Sequence, residues 1–260
     1  MLIALLAAQA RRPRDVSSLK SMFSGATIVP MEVVRQVEEV FGVSLIIGYG
    51  QTETSPAITH TRPHDAPIDK SETIGQPIPQ VEVKIIDPVT GATLPVDQPG
   101  ELCTRGFLVM MGYYDMPEAT AATIDADGWL HTGDLCSMDA RGFCRVTGRL
   151  KDMIIRGGEN IYPREVEEVL YTHPAVAEVA VVGLPDAYWG EVVGAVVTFK
   201  AGQTARGEAL REYVAARIAR LKVPSQWFAL DAIPATASGK LQKFRLVEMF
   251  RAGALDAARI

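Results

Sequence analysis

The segment Val43-Ser44-Leu45-Ile46-Ile47-Gly48-Tyr49-Gly50-Gln51-Thr52-Glu53 decides the fold class of the first part of the chain. Val43 to Ile47 is a short apolar run typical of a buried strand. The residues from Tyr49 to Glu53 follow its carboxyl end, where α/β sheets bind their ligands. The segment therefore predicts an α/β layer that presents a hydroxyl and a carboxylate, although a Thr-Glu pair alone is also typical of a helix cap.

A core-facing helix is predicted directly before this strand. Apolar residues recur there at helical spacing over residues 31–41, and Gly42 is typical of a helix end. Residues 1–8 form a second apolar run. Ala8-Gln9-Ala10 resembles a signal-peptidase site, but the run lacks a positively charged start and is too short to span a membrane. We therefore expect an amphipathic or truncated helix there, and no transmembrane segment.

The pattern changes to strands and turns from Ile74 to about Val146. Apolar and charged residues alternate over residues 81–85, which predicts an amphipathic strand. Further strands are predicted at Gly100–Cys103 and Phe143–Val146, with turns between them. This part is expected to be a β-rich subdomain.

A separate α+β domain is predicted after residue 148. Pro163 suits the first position of a helix. Strands are predicted at 176–182, 192–199 and 227–230, a helix carries Leu210, Val214, Ile218 and Leu221 on one face, and a last helix starts near Phe244. The order βαββαβα is typical of a small α+β domain. The expected fold class is thus mixed α/β and α+β, with a partial large domain (residues 1–148) and a small C-terminal domain (residues 149–260).

Composition excludes some functions. The chain has 260 residues and a net charge of −5, which argues against a nucleic-acid partner. Its three cysteines are odd in number and form no CxxC pair, which indicates reduced thiols in a cytoplasmic protein rather than a disulfide framework or a zinc site. The four histidines are scattered, and none has metal-ligand spacing from another or from a cysteine.

A lysine stands in a small-residue loop near the end, Pro234-Ala235-Thr236-Ala237-Ser238-Gly239-Lys240. This loop is not a Walker motif, because Pro234 occupies the first glycine position and Leu241 replaces the required Ser or Thr. By itself the loop is a turn with a solvated lysine. No glycine-rich phosphate loop is present in the sequence.

Six motifs, taken in order, carry a resemblance. They are Tyr49-Gly50-Gln51-Thr52-Glu53, Gly100-Glu101-Leu102, Gly112-Tyr113-Tyr114, Gly128-Trp129-Leu130-His131-Thr132-Gly133-Asp134, Gly148-Arg149-Leu150-Lys151-Asp152 and Ser238-Gly239-Lys240. Together they resemble motifs of the adenylate-forming (AMP-binding) superfamily, over essentially the whole chain. The segment from Met153 to Pro163 is most similar to medium- and long-chain fatty acyl-CoA ligases, and it disfavours luciferases and peptide synthetases.

The resemblance implies a two-step reaction with ATP/AMP, Mg²⁺ and CoA. A fatty acid carboxylate attacks the α-phosphorus of ATP, and the CoA thiol then displaces AMP. Thr52 is implied as a donor to the α-phosphate, and Glu53 as a catalytic Mg²⁺ ligand. Asp134 and Arg149 are implied to bind the ribose. Tyr49, beside Gly50 in the nucleotide site, is implied to stack on adenine, with a buried core aromatic as the competing interpretation.

The remaining implied residues follow the same resemblance. Lys240 matches the mobile catalytic lysine, and Lys151 matches the hinge of the small domain. Gly157 and Gly158 match a loop lining the pantetheine channel, where missing side chains leave room for a thiol arm. Gly25-Ala26-Thr27 matches the turn that contacts adenine and the acyl group.

The family's phosphate loop and most of its acyl pocket should precede this sequence. We therefore expect the C-terminal half of an ATP-dependent fatty acyl-CoA ligase, weak or inactive alone, or active with a partner chain that supplies the N-terminal half. The alternative expectation is a non-catalytic remnant that binds nucleotide or CoA.

Overall fold

The fold is mixed α/β and α+β, which confirms the predicted class. The computed structural model describes residues 1–25, 29–236 and 241–260. The chain divides into two compact units, Met1–Val146 and Thr147–Ile260. No helix in these described ranges has the length and apolar character needed to cross a membrane.

The first part of unit 1 is a small sheet with helices. Its elements are α1 (Leu2–Arg11), β1 (Ser21–Gly25), α2 (Met31–Phe41), β2 (Ser44–Tyr49), β3 (Thr59–His60), α3 (Pro67–Glu72) and β4 (Gln76–Pro77). The sheet order is β1-β2-β3-β4, with β1 parallel to β2 and the other pairs antiparallel. Val34, Val37, Leu45 and Ile47 are buried in one cluster, so the apolar stripe of α2 faces the core as predicted.

The predicted helices near the start of the chain are observed, whereas the predicted strand ends two residues too early. The helix predicted at residues 31–41 is α2, and Gly42 ends it in the left-handed conformation that glycine adopts most easily. The apolar N-terminal run forms α1. The strand predicted at 43–47 extends two residues further, so that Tyr49 is its last residue and does not follow it.

The second part of unit 1 is an antiparallel sheet, as predicted for a β-rich subdomain. Its elements are β5 (Val81–Ile86), β6 (Gly100–Gly106), α4 (Pro117–Thr123), β7 (Leu130–Met138) and the first half of β8 (Cys144–Arg149), whose last three residues belong to unit 2. The strand order is β5-β6-β7-β8. The sequence analysis did not foresee α4 or β7, although β7 contains the motif residues 130–134.

Unit 2 has one mixed sheet. Its elements are β9 (Ile154–Arg156), β10 (Glu159–Ile161), α5 (Pro163–Tyr171), β11 (Val176–Asp186), β12 (Gly190–Phe199), α6 (Gly207–Ala215), β13 (Gln226–Ala229) and α7 (Lys243–Arg251). The sheet order is β10-β9-β12-β11, and β13 pairs in parallel with β12. The β9–β10 hairpin adds one strand to the predicted order.

The long strands of unit 2 are buried on both faces. Val179 and Val181 pack in a cluster with α5 and α6. Ala180 and Val182 belong to another cluster, which contains Leu246 of α7. Because successive side chains point to opposite faces, helices on both sides explain why these strands are almost continuously apolar.

One predicted helix is shorter than expected. Helix α6 ends at Ala215, and the backbone amide of Arg217 donates to the Val214 carbonyl in a tightened last turn. Ile218 still packs against the core, whereas Leu221 lies in a separate short 3₁₀ turn and is 39% exposed. The prediction that Leu221 shares the helix face was therefore wrong.

Candidate functional site

The carboxylate of Asp134 is the centre of a hydrogen-bonded group in unit 1. The Tyr49 hydroxyl donates to Asp134 Oδ2 at 2.6 Å, and Gln51 Nε2 donates to the same oxygen at 3.2 Å. Gln51 Nε2 also donates to the carbonyl of Thr132 at 2.7 Å. Asp134 is 7% exposed. The end of β2 and the start of β7 therefore hold this carboxylate in a fixed orientation.

Tyr49 has the packing of a core aromatic, one of the two interpretations given for it, and its hydroxyl contacts the predicted ribose-binding carboxylate. Its ring packs against a buried cluster that contains Ile58 and Leu102, as a core aromatic would. Burial raises the pKa of the Tyr49 hydroxyl far above its usual value, and the nearby Cys136 and Asp134 raise it further. The hydroxyl therefore remains a proton donor to Asp134 at physiological pH.

Thr52 lies in the turn after β2, and its side chain does not cap the short helix there. A short 3₁₀ helix covers Thr52–Thr54, and it is capped by Gln51 and Thr54. The Gln51 amide donates to Thr54 Oγ1 at 2.9 Å. Thr52 itself is exposed. The capping interpretation of the Thr52-Glu53 pair is therefore wrong, because its neighbours form the cap. Gly50 permits the turn, since a Cβ there would overlap the Pro56 carbonyl.

Glu53 is oriented by a tyrosine from a different motif. The Tyr113 hydroxyl donates to Glu53 Oε1 at 2.9 Å, and the Met110 amide donates to the Glu53 carbonyl at 2.9 Å. This hydrogen bond raises the pKa of Tyr113. The described hydrogen bonds of the Glu53 carboxylate involve Oε1 alone. A half-buried carboxylate held in this way suits a hard divalent cation such as Mg²⁺.

Of the predicted turn Gly25-Ala26-Thr27, only Gly25 lies within the described residues. Gly25 is the last residue of β1, where a Cβ would lie 2.6 Å from the Gly48 carbonyl of β2. The close approach of these strands therefore requires glycine at position 25. Ala26 and Lys240 lie outside the described residues, as does Thr27.

In unit 2, Arg149 and Lys151 lie two residues apart, at the end of a strand and in the turn that follows it. Arg149 is the last residue of β8 and precedes a 3₁₀ turn, Leu150–Asp152, that contains Lys151. Both side chains are exposed.

Gly157 and Gly158 form the two-residue turn of the β9–β10 hairpin. Their φ angles are +59° and +90°, so both need the left-handed region that glycine tolerates. A Cβ on Gly157 would lie 2.6 Å from the ring of Trp189, whereas one on Gly158 would meet nothing within 4 Å. The space over Gly157 is thus occupied by Trp189, and Gly158 alone leaves an open surface.

A cationic cavity of about 660 Å³ lies beside this hairpin within unit 2. Its lining includes three arginines, one glutamate and one tryptophan: Arg156, Arg211, Arg220, Glu159 and Trp189. Arg156 is fixed by donating to the Leu221 carbonyl at 2.7 Å, and its guanidinium lies 5.3 Å from the Trp189 ring centroid.

Gln51, Tyr113 and Arg156 were not assigned a role from the sequence. All three lie inside the segments that carry the family resemblance, and that position was the available signal. Arg211 and Arg220 had no such signal, because they come together with Arg156 at the cavity only after folding.

Comparison with known proteins defines the class. Residues 1–114 match the family model of AMP-binding enzymes, and residues 165–240 match the model of the AMP-binding enzyme C-terminal domain. The chain belongs to this adenylate-forming family.

Similar proteins occur in bacteria and animals. A putative acyl-CoA synthetase of Bacillus subtilis, YngI, is 49% identical over 241 residues, which are 91% of this chain and 44% of that protein. The human mitochondrial medium-chain acyl-CoA ligase ACSF2 is 38% identical over 90% of this chain and 38% of its own length. The chain therefore spans less than half the length of these relatives.

Solved structures of the family are also similar. ATP-bound MatB of Rhodopseudomonas palustris matches with a TM-score of 0.80 and 33% identity, over 88% of this chain and 45% of that one. The o-succinylbenzoate CoA synthetase of Bacillus subtilis, in complex with its acyl-adenylate, matches with a TM-score of 0.77 and 35% identity, over 94% and 49%.

Proposed function

We propose that this chain carries part of the machinery of an ATP-dependent fatty acyl-CoA ligase, with most of the nucleotide-binding groups in unit 1 and the CoA-binding groups in unit 2. Family membership and the names of the relatives support the reaction class. The observation that carries the proposal is the Asp134 carboxylate, whose Oδ2 accepts hydrogen bonds from Tyr49 and Gln51.

Asp134 suits the ribose of ATP and AMP. A carboxylate has about four acceptor positions, and a ribose offers two hydroxyl donors. Hydrogen bonds to a charged acceptor are about twice as strong as neutral ones. Because the described donors fix the carboxylate before ligand arrives, little orientational freedom is lost on binding. We assign Arg149 as a further donor to the same sugar.

Thr52 and Glu53 would act at the phosphates. Thr52 is exposed on a capped turn, so its hydroxyl is available to donate to the α-phosphate. Glu53, held by Tyr113, would ligate Mg²⁺, which neutralises phosphate charge when bound. In-line attack at phosphorus depends mainly on positioning and on positive charge, and we assign Lys240 as the cation that supplies it.

The second half-reaction would use unit 2. CoA carries phosphate groups, and the cavity lined by Arg156, Arg211 and Arg220 offers planar cations that bind phosphate in a bidentate manner. Trp189 provides a flat surface for its adenine ring. The thiol arm would pass over Gly158, and Lys151 would be the hinge that exchanges the two half-reactions.

The substrates are then a fatty acid and CoA, in a reducing cytoplasm where the three buried cysteines remain thiols. Catalytic turnover is proposed only when the phosphate loop and acyl pocket are also present. A separate partner chain could supply them. The greater length of the relatives favours a second candidate function for the chain alone, which is binding of nucleotide or CoA without turnover.

Two measurements on the purified 260-residue chain test the proposal. Calorimetry should detect AMP binding, and ATP–pyrophosphate exchange with octanoate should report adenylation. Lys240→Ala should abolish any exchange and Lys200→Ala, at an exposed position on the same unit, should not. Exchange that survives Lys240→Ala contradicts the role of that lysine. AMP binding without exchange favours the second candidate, and absence of both overturns the assignment of Asp134.

A further inference from the structure

Three side chains with metal-binding atoms converge on one face of the β-rich sheet. Glu101 and Cys103 are two residues apart in β6, so they point to the same face. Cys103 is the cross-strand partner of His131 in β7, although the two are 28 positions apart in sequence. The register of the two strands shifts between Glu101 and Cys103, and the Glu101 side chain still lies within hydrogen-bonding distance of the histidine.

The donor atoms are close enough for one ion to reach them all. His131 Nδ1 lies 2.9 Å from Glu101 Oε2 and 3.6 Å from Cys103 Sγ. All three atoms lie within 4.8 Å of one another. Ligand bonds to zinc are about 2.0–2.3 Å long, so an ion between these atoms can reach all three after adjustment of their side chains.

We propose that Glu101, Cys103 and His131 form a divalent metal site of the zinc type. Sulfur, imidazole nitrogen and carboxylate oxygen are together the donor set of a borderline metal such as Zn²⁺, and a poor set for Mg²⁺ or Ca²⁺. Glu101 and Cys103 are buried, whereas the His131 side chain is 31% exposed. The exposed side gives an entry path and room for water as the fourth ligand.

The surroundings of the three residues support a metal as the ligand. A metal-bound histidine usually has its second ring nitrogen facing a carboxylate, which fixes the ring. Here His131 Nδ1 faces Glu101 and Cys103, and Nε2 lies 3.8 Å from Asp125 Oδ2. Asp125 is itself held, since its Oδ1 accepts from the amides of Trp129 at 2.8 Å and Asp127 at 3.0 Å.

Glu101 has a comparable arrangement. Its Oε1 accepts from the Gly133 amide at 3.0 Å, which leaves Oε2 directed at His131 Nδ1. The carboxylate is thus oriented through one oxygen and free to ligate through the other. When the metal binds, the Cys103 thiol loses its proton to solvent and the thiolate and carboxylate balance the ion's two positive charges. A bound metal would add a cross-link between β6 and β7 close to Asp134.

Cobalt absorption spectroscopy tests the proposal, because Co²⁺ replaces Zn²⁺ and a thiolate ligand gives a charge-transfer band in the near ultraviolet. The metal-free 260-residue chain should develop this band with one equivalent of Co²⁺ and lose it on addition of Zn²⁺. Cys103→Ser should abolish the band. Cys144→Ser, a matched change at a buried cysteine in the same sheet, should leave it unchanged.

Two further variants make the test independent of a folding failure in Cys103→Ser. His131→Gln should weaken Co²⁺ binding more than about 100-fold, and Asp125→Asn should weaken it roughly 10-fold, the lower end of the cost of removing a ligand's outer partner. Circular dichroism checks that each variant is folded. No thiolate band in the wild-type chain, or a band that survives Cys103→Ser, overturns the proposal.

Discussion

The two candidate binding regions of this chain are built on opposite principles. In unit 1, carboxylates are half or fully buried and are held by tyrosines: Asp134 by Tyr49, and Glu53 by Tyr113. In unit 2, arginines and Trp189 surround an open cavity beside a two-glycine turn. The comparison indicates that oriented carboxylate acceptors for ribose and cation lie in unit 1, whereas the unit 2 cavity offers clustered cations, so AMP and CoA should have their main contacts on different units.

The strongest test of this contrast is removal of the Asp134 charge. Asp134→Asn should lower AMP affinity roughly 100-fold, or about 3 kcal/mol, because two charge-assisted hydrogen bonds to ribose are weakened. CoA affinity should be unchanged. Calorimetric titration measures both constants. Asp127→Asn is the matched control, since it makes the same charge change at an exposed position nearby. Equal losses for AMP and CoA would remove the distinction between the two units.

The second test acts on the turn in unit 2. Gly157→Ala should lower CoA affinity about tenfold and destabilise unit 2 by about 1–3 kcal/mol, because the new Cβ is strained at φ +59° and overlaps the Trp189 ring. Thermal unfolding by circular dichroism and CoA titration measure the two effects.

Gly158→Ala separates the causes in this second test. It introduces similar backbone strain, at φ +90°, but meets nothing within 4 Å. It should therefore destabilise unit 2 less than Gly157→Ala does, whereas its Cβ stands on the open surface over which the thiol arm is proposed to pass and should also lower CoA affinity. Equal destabilisation by the two variants would show that the Trp189 contact adds nothing to the strain of the turn.

Charge in the unit 2 cavity provides a third test. Arg156→Ala should weaken CoA binding about five- to tenfold, the cost of one charge-assisted hydrogen bond to phosphate, and should leave AMP binding unchanged. Arg251→Ala, at an exposed site on α7, should change neither. The titrations should be made at low salt, since screening reduces the effect of exposed charges. A loss of CoA affinity in Arg251→Ala as large as in Arg156→Ala would indicate non-specific attraction.

The smallest effect is expected at Tyr113. Tyr113→Phe removes one hydrogen bond to Glu53, which should weaken Mg²⁺-dependent ATP binding about two- to fivefold while AMP binding without metal is retained. Titration of ATP at several Mg²⁺ concentrations measures this change. Tyr114→Phe is the control, because that side chain is 95% exposed. An equal loss without Mg²⁺ would show that Tyr113 acts on the fold and not on the carboxylate.

Sequence patterns predicted the long, strongly periodic elements of this chain well. α2 agrees residue for residue, and both long strands of unit 2 were placed. Short elements such as β3 and β9 were missed, because two or three residues carry no measurable period. The end of α6 was misplaced because Ile218 and Leu221 continue the apolar spacing after the helix has ended.

Motif residues were easier to predict than their partners. Asp134 and Glu53 stood out as carboxylates in recognisable motifs, whereas the hydrogen bonds from Tyr49, Gln51 and Tyr113 depend on strand pairing across more than 50 residues. The statement that no histidine has metal-ligand spacing from a cysteine held only along the sequence. In the sheet, His131 and Cys103 are direct neighbours.

Hydrogen–deuterium exchange of the whole chain with saturating AMP, and separately with CoA, tests the division between the two units most directly. The account predicts that AMP slows exchange in residues 49–54 and 130–134, and that CoA slows it in residues 154–161 and around Trp189. Protection by AMP confined to the β9–β10 hairpin, or by CoA confined to the Asp134 region, would contradict it.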